Sequence, residues 1–250
     1  MAKSKSAFGK IWQWVWECFK RSLLPLVMYI TSSFVLVVFT FDQQKATDGL
    51  TTTRFWLCFG FGLFAVVYGA IMAFVEGGNG YDMLVAGNMK RRVEGEGLKM
   101  SKHKEEKEYR DWKGFAIGGF IALINLVVSL VWGANQEAIN YVLTNPNGTL
   151  EGYSGIQALL SVNIFTWGWA VLPFVFANAG GVFVSYYWMA LLGLLPIIAC
   201  GITYIVGAYA RRRKKLNQQE AEARAEEEAA NRPKKINYGG LPGTKPNKKK

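Results

Sequence analysis

The chain has 250 residues, 51% hydrophobic and 14% aromatic, yet its 29 Lys and Arg against 18 Asp and Glu leave a formal charge of +11. Apolar and basic character together exclude an ordinary soluble domain, and the segregation of the charges says why. Residues 22–41, 55–75, 115–133, 154–178 and 182–209 contain no Asp, Glu, Lys, Arg or His. Such runs match the roughly 20 residues a helix needs to cross a ~30 Å hydrocarbon layer. An all-α, polytopic helical membrane protein is expected, because in lipid only a helix or a closed barrel satisfies its own backbone.

Residues 1–21 place Phe8, Ile11, Trp12, Val15, Trp16 and Phe19 on one helical face and Lys10, Gln13, Glu17, Lys20 and Arg21 on the other. This pattern predicts an amphipathic helix in the membrane interface ahead of the first span. That span is too long for a signal h-region and is read as retained. Of the three cysteines, Cys18 lies beside the first span, and Cys58 and Cys200 lie within spans as small apolar residues rather than a disulfide framework.

Between spans two and three, residues 76–113 form the longest charged connection, expected as a cytoplasmic loop. Its start, EGGNGYDMLVAGN, reads as irregular or turning backbone. Its later part offers Lys102 with Glu106, Lys104 with Glu108 and Glu106 with Arg110, which predicts a short solvated helix. The tail, 210–250, is expected to extend the last span as a helix and then, from Pro233, to be disordered.

Sidedness follows from the basic residues: five before span one, two in the first loop, nine in the long loop, none in the third and thirteen in the tail. Five crossings would divide them almost equally, whereas four put 27 on one side and two on the other. The run least suited to cross is 154–181. It carries Gln157, Ser161, Asn163, Thr166 and Pro173, and sets Trp167 and Trp169 near its middle. The expectation is four spans plus one re-entrant or interfacial element, with five spans as the alternative. The stretch Ala177-Asn178-Ala179-Gly180-Gly181 then becomes a bend on the outer side, and both termini lie in the cytoplasm.

Small residues run in stripes: Gly114, Gly118, Ala122, Asn125, Ser129 and Gly133 in span three, Ala65, Gly69 and Ala73 in span two, and Gly193, Pro196, Cys200, Thr203 and Gly207 in the last. They predict close helix packing or an interface with another protein. Lys90, Arg91 and Arg92, with Arg211, Arg212, Arg213, Lys214 and Lys215, are expected to meet anionic lipid headgroups or a partner, not nucleic acid. No ionisable residue lies inside the spans, which speaks against a proton-coupled carrier. His103 stands alone as histidine, so neither a catalytic residue, nor a metal site, nor a cofactor is expected. A non-enzymatic subunit of a membrane complex at the cell membrane is the leading expectation, through self-association or a membrane partner. A facilitator for a neutral or hydrophobic solute, lined by Asn125, Gln157 and Asn163, is the second. Asn147-Gly148-Thr149 matches a glycosylation sequon on the expected outer side.

Overall fold

The computed structural model describes residues 7–40, 49–97, 103–144 and 154–231. Their regular structure is helical: α1 (Ala7–Thr40), α2 (Thr52–Gly95), α3 (Trp112–Ala134), α4 (Gln136–Thr144), α5 (Ser154–Ala179) and α6 (Met189–Asn231), with 3-10 turns at Glu105–Lys107 and Tyr186–Trp188. All but α4 are long and apolar enough to cross a membrane. The chain is therefore an all-α polytopic membrane protein. Met1–Arg212 form one compact unit and Arg213–Lys250 a second, of which the described part is an exposed continuation of α6. The sequon, the tail beyond 231 and the Gln157 side chain lie outside the described residues.

The helices alternate in direction. Arg21 near the start of α1 pairs with Glu76 of α2 at 2.8 Å, and Ser32 donates to the Phe61 carbonyl at 3.1 Å, so α1 and α2 are antiparallel. Trp14 meets Trp112, which brings the start of α3 to the same basic end. Antiparallel to α3 runs α6: the Cβ positions of Gly114, Gly118 and Gly133 face Tyr204, Pro196 with Ile197, and Tyr187 in turn. The span-three stripe is thus taken up within the chain by α6. Asn125 also donates to the Met189 carbonyl at 3.0 Å, and Ser129 donates to the Asn125 carbonyl.

Three local expectations are corrected. The Gly- and Asn-rich start of the 76–113 connection is helix, because α2 runs on to Gly95. Each glycine in a helix costs about 1 kcal/mol relative to Ala. Here neighbours approach so closely that a side chain would not fit: a Cβ at Gly77 would stand 1.9 Å from the Tyr204 carbonyl oxygen, and one at Gly87 2.3 Å from Glu108 Oε1. At 44 residues α2 is about 66 Å long, twice the hydrocarbon thickness, so its second half projects beyond the apolar layer.

Second, the expected solvated helix shrinks to the Glu105–Lys107 turn, and Glu108 points inward instead of pairing with Lys104. Third, α4 fills a stretch read as loop, where Gln136 and Asn140 accept hydrogen bonds from Tyr186. At the other terminus, α1 is one helix of 34 residues across the boundary set at residue 21. Of its polar face, Glu17 is buried and Arg21 reaches α2, while Lys10 and Lys20 stay exposed, as do Phe8, Ile11, Trp12 and Trp16.

Candidate functional site at the broken helix

Helix α5 is interrupted. Trp167 has φ −131° and ψ 29°, outside the helical region. Thr166 Oγ1 donates to the Val162 carbonyl at 2.7 Å and the Asn163 carbonyl at 3.5 Å, and Ser33 Oγ of α1 donates to the Thr166 carbonyl at 3.1 Å. Hydroxyls inserted into the ladder of carbonyls bend a helix. Pro173 comes six residues later and leaves the Trp169 carbonyl without its usual donor, so it does not explain a break at Trp167.

Partners taken in order trace the path of α5. Phe165 and Thr166 lie against Phe34 and Ser33, while Trp167 and Trp169 lie against Tyr29, one turn closer to the basic end. After the break the chain climbs away again. Trp169 sits on Gly62, Phe176 under the Arg54 guanidinium at 4.5 Å, and Gly180 on Gly49. The half before the break does not continue the line of the half after it: Phe165, Thr166 and Gly168 all lie at the level of Ser33 and Phe34. A straight crossing would have carried Phe165 toward the basic end of α1, not back to Phe34.

The helix then ends in a Schellman motif. Val182 N–H donates to the Ala177 carbonyl and Gly181 N–H to the Asn178 carbonyl, with Gly181 at φ 83°, a conformation natural only to glycine. The Asn178 amide clamps Val184 with two hydrogen bonds of 2.8 and 2.9 Å. This is the bend that delivers the chain into α6 at the end opposite the basic one.

Around the break the interior is aromatic. Tyr29, Trp167 and Trp169 have ring centroids 5.2 to 6.3 Å apart, and Tyr29 and Trp167 are fully buried. Among the described residues, Tyr29 Oη, Trp167 Nε1 and Trp169 Nε1 meet no hydrogen-bond partner, and neither does the side-chain amide of Asn163. The Val162, Asn163 and Thr166 carbonyls accept from hydroxyls, whereas these ring donors and both ends of the Asn163 amide have no partner.

In front of Trp169 a groove of about 390 Å³ opens between α2 and α6. Phe55, Cys58, Phe59, Gly62, Leu63 and Val66 of α2, Trp169 and Pro173 of α5, and Leu192 and Leu195 of α6 line it. Its outer wall is exposed, with Phe59 and Leu63 each at 53%. That volume lies within the ~300–1,000 Å³ of ordinary ligand sites, and the lining suits a hydrocarbon.

The other expected residues fall elsewhere. Ala65, Gly69 and Ala73 are on the buried side of α2, where a Cβ at Gly69 would touch Tyr29 and Cys200. Asn125 belongs to the α3–α6 seam and Asn163 to α5, and both are fully buried. Cys18, Cys58 and Cys200 are free and buried.

Lys90 pairs with Glu94, Arg92 with Glu96, and Arg211 with Asp82, all near the basic end. Arg91 is drawn into a cluster that the sequence did not disclose. It meets Glu108 Oε1 at 2.9 Å, His103 Nε2 meets the same oxygen at 2.9 Å, and the Lys113 ammonium donates to the carbonyls of Glu106 and Glu108. Burial of Glu108 works against its charge, but hydrogen bonds from Arg91 and His103 and the nearby positive charge prevail and hold its carboxyl below the usual value. His103 is thus a clasp between the connection and α2; no group of three or more metal-ligating side chains occurs among the described residues. The remaining basic residues, Arg212, Arg213, Lys214 and Lys215, stand at or just past the boundary of the first unit. Compared with protein families, curated proteins and solved structures, the chain finds no match.

Proposed function

We propose that this chain is a non-enzymatic membrane protein that holds a hydrophobic solute or the hydrocarbon chain of a lipid in the groove between α2 and α6. The observation that carries this is the groove itself, an almost wholly apolar recess of about 390 Å³ with the broken α5 as its floor. In a membrane its exposed wall faces acyl chains, so a ligand enters from the bilayer without crossing water. The small-residue stripes support this reading over self-association, since in span three they are consumed by α6.

A role as a subunit of a larger complex has a separate support, the exposed aromatic face of α1, with Phe8 at 76% and Trp12 at 61%. The basic end lies toward the cytoplasmic leaflet of the cell membrane, where each Lys or Arg near the surface is worth about 1 kcal/mol against anionic headgroups. Native mass spectrometry of the detergent-purified chain tests the groove. Wild type retains bound lipid and a Leu195→Trp variant, which fills the recess, loses it; equal retention would refute the proposal.

A further inference from the structure

We infer that the groove takes one acyl chain from a lipid of the leaflet at the Gly181 bend, its ester end by Phe55 and its methyl end by Val66, and that Val66 and Leu195 set how deep the chain reaches. The inference deepens the groove reading and rests on it. The geometry of the two walls carries it. Helices α2 and α6 run in the same direction, since Gly69 faces Cys200, Gly77 faces Tyr204 and Asp82 pairs with Arg211 at 2.8 Å. They are closest toward the basic end, where neither Gly77 against the Tyr204 carbonyl nor Gly207 against the Phe74 carbonyl leaves room for a Cβ. From there the pair opens toward the bend. The groove is the space between its arms, with Phe55 to Val66 on one side and Leu192 and Leu195 on the other.

The recess is closed at one end only. Three residues past Val66, the Cβ position of Gly69 already has the Tyr29 ring at 3.5 Å and the Cys200 sulfur at 3.7 Å. In the opposite direction the lining continues to Phe55, in the first turn of α2, beside Arg54 and the exposed Trp56. Charge and tryptophan together mark the polar surface of the bilayer, and Gly49, just ahead of α2, touches Gly180 of the bend. From Phe55 to Val66 the helix rises about 16 Å, against about 15 Å for half of a ~30 Å hydrocarbon layer. The groove thus covers one leaflet and stops near the midplane.

That depth fixes the direction of the ligand. No lining residue carries a hydroxyl, an amide side chain or a charge, and Trp169 Nε1 is itself buried. A polar head at the Val66 end would lose its water and gain no partner, a cost that only the Phe55 end avoids. A lipid of the other leaflet has its head at the basic end, and the contacts at Gly77 and Gly207 stand between that head and the groove. At about 390 Å³ the recess is at the small end of ligand sites, which leaves room for a chain and not for a head group as well.

The test uses the full chain in liposomes with two phosphatidylcholine probes that carry a diazirine on one acyl chain, next to the carbonyl in one and at the methyl end in the other. Mass spectrometry of the labelled peptides locates the adducts. The carbonyl-end probe labels Phe55 and Phe59, and the methyl-end probe labels Val66 and Leu195. Val66→Phe stands a ring across the deep end at a half-buried position, so it removes methyl-end labelling at Leu195 and leaves carbonyl-end labelling at Phe59 in place. Leu195→Phe does the same to methyl-end labelling at Val66, and decides the matter if Val66→Phe lowers the thermal midpoint. A reversed order, the same labelled residues for both probes, or methyl-end labelling that both variants leave unchanged overturns the inference, and the groove reading then stands on the adducts that remain within the groove. No adduct in the groove from either probe removes both.

Discussion

Two seams of the same bundle are built on opposite plans. Where α3 meets α6, glycines let backbones touch; a Cβ at Gly118 would lie 2.5 Å from the Pro196 carbonyl oxygen, and the Asn125 amide N–H and the Ser129 hydroxyl donate across or along the seam. Where α1 meets α5, Gly168 lies against the Ser33 backbone, the helix is broken at Trp167, and the buried donors of Tyr29, Trp167 and Trp169 have no partner. The first seam has one packed state, because interiors at crystal-like density tolerate no added atoms. The second is held by side chains packed around an irregular backbone.

Breaking the rigid seam has the largest expected effect. Gly118→Leu pushes a branched side chain into the backbone of Pro196 and Ile197, costs at least about 3 kcal/mol, and lowers the thermal unfolding midpoint in detergent independently of protein concentration. A concentration-dependent loss would move the stripe to an interface between chains. Next comes the clasp at the basic end. Glu108→Gln removes the charge that Arg91 and His103 share and costs about 1–3 kcal/mol at neutral pH, read from the same midpoint. Since the folded carboxyl titrates below its ordinary value of 4.5, its contribution is full above that value and disappears as pH falls through the lower folded one. The difference between wild type and Glu108→Gln therefore shrinks only in acid.

The α1–α5 seam answers in the other direction. Tyr29→Phe deletes an unpaired buried donor and keeps the ring, and its midpoint stays within about 0.5 kcal/mol of wild type or rises. Smallest of all, Arg92→Gln, whose pair with Glu96 spans 3.9 Å on the surface, changes stability by less than about 0.5 kcal/mol.

Much of the rigid seam was legible in the sequence, because Gly114, Gly118, Ala122, Asn125, Ser129 and Gly133 repeat at helical spacing and small residues have few other reasons to do so. The same signal ran through α2 and on past the expected end of its span: Cys58, Gly62, Ala65, Gly69, Ala73, Gly77, Gly80 and Gly87 are all buried. Read as turn residues by local preference, the last three are packing residues by tertiary context.

Trp167 and Trp169 stood out as misplaced for a crossing helix, which led to a bend at the right segment. Their partner Tyr29 carried no sequence signal, since an isolated Tyr in an apolar run has no period to reveal what it faces. The Glu108 cluster was hidden for a similar reason. Its members come from α2, the connection and α3, and only the folded path of the connection unites them.

That α5 turns at Trp167 and returns to the end it came from is the claim on which the groove, its floor and the donor cluster all depend. Sidedness labelling tests it most directly, with single cysteines at Gly97, Gln136, Gly181 and Arg212 in sealed vesicles and an impermeant thiol reagent, the three buried native cysteines serving as background. The structure predicts that Gln136 and Gly181 react from one face and Gly97 and Arg212 from the other. Reaction of Gly181 from the same face as Gly97 would mean that α5 crosses, and would contradict the account.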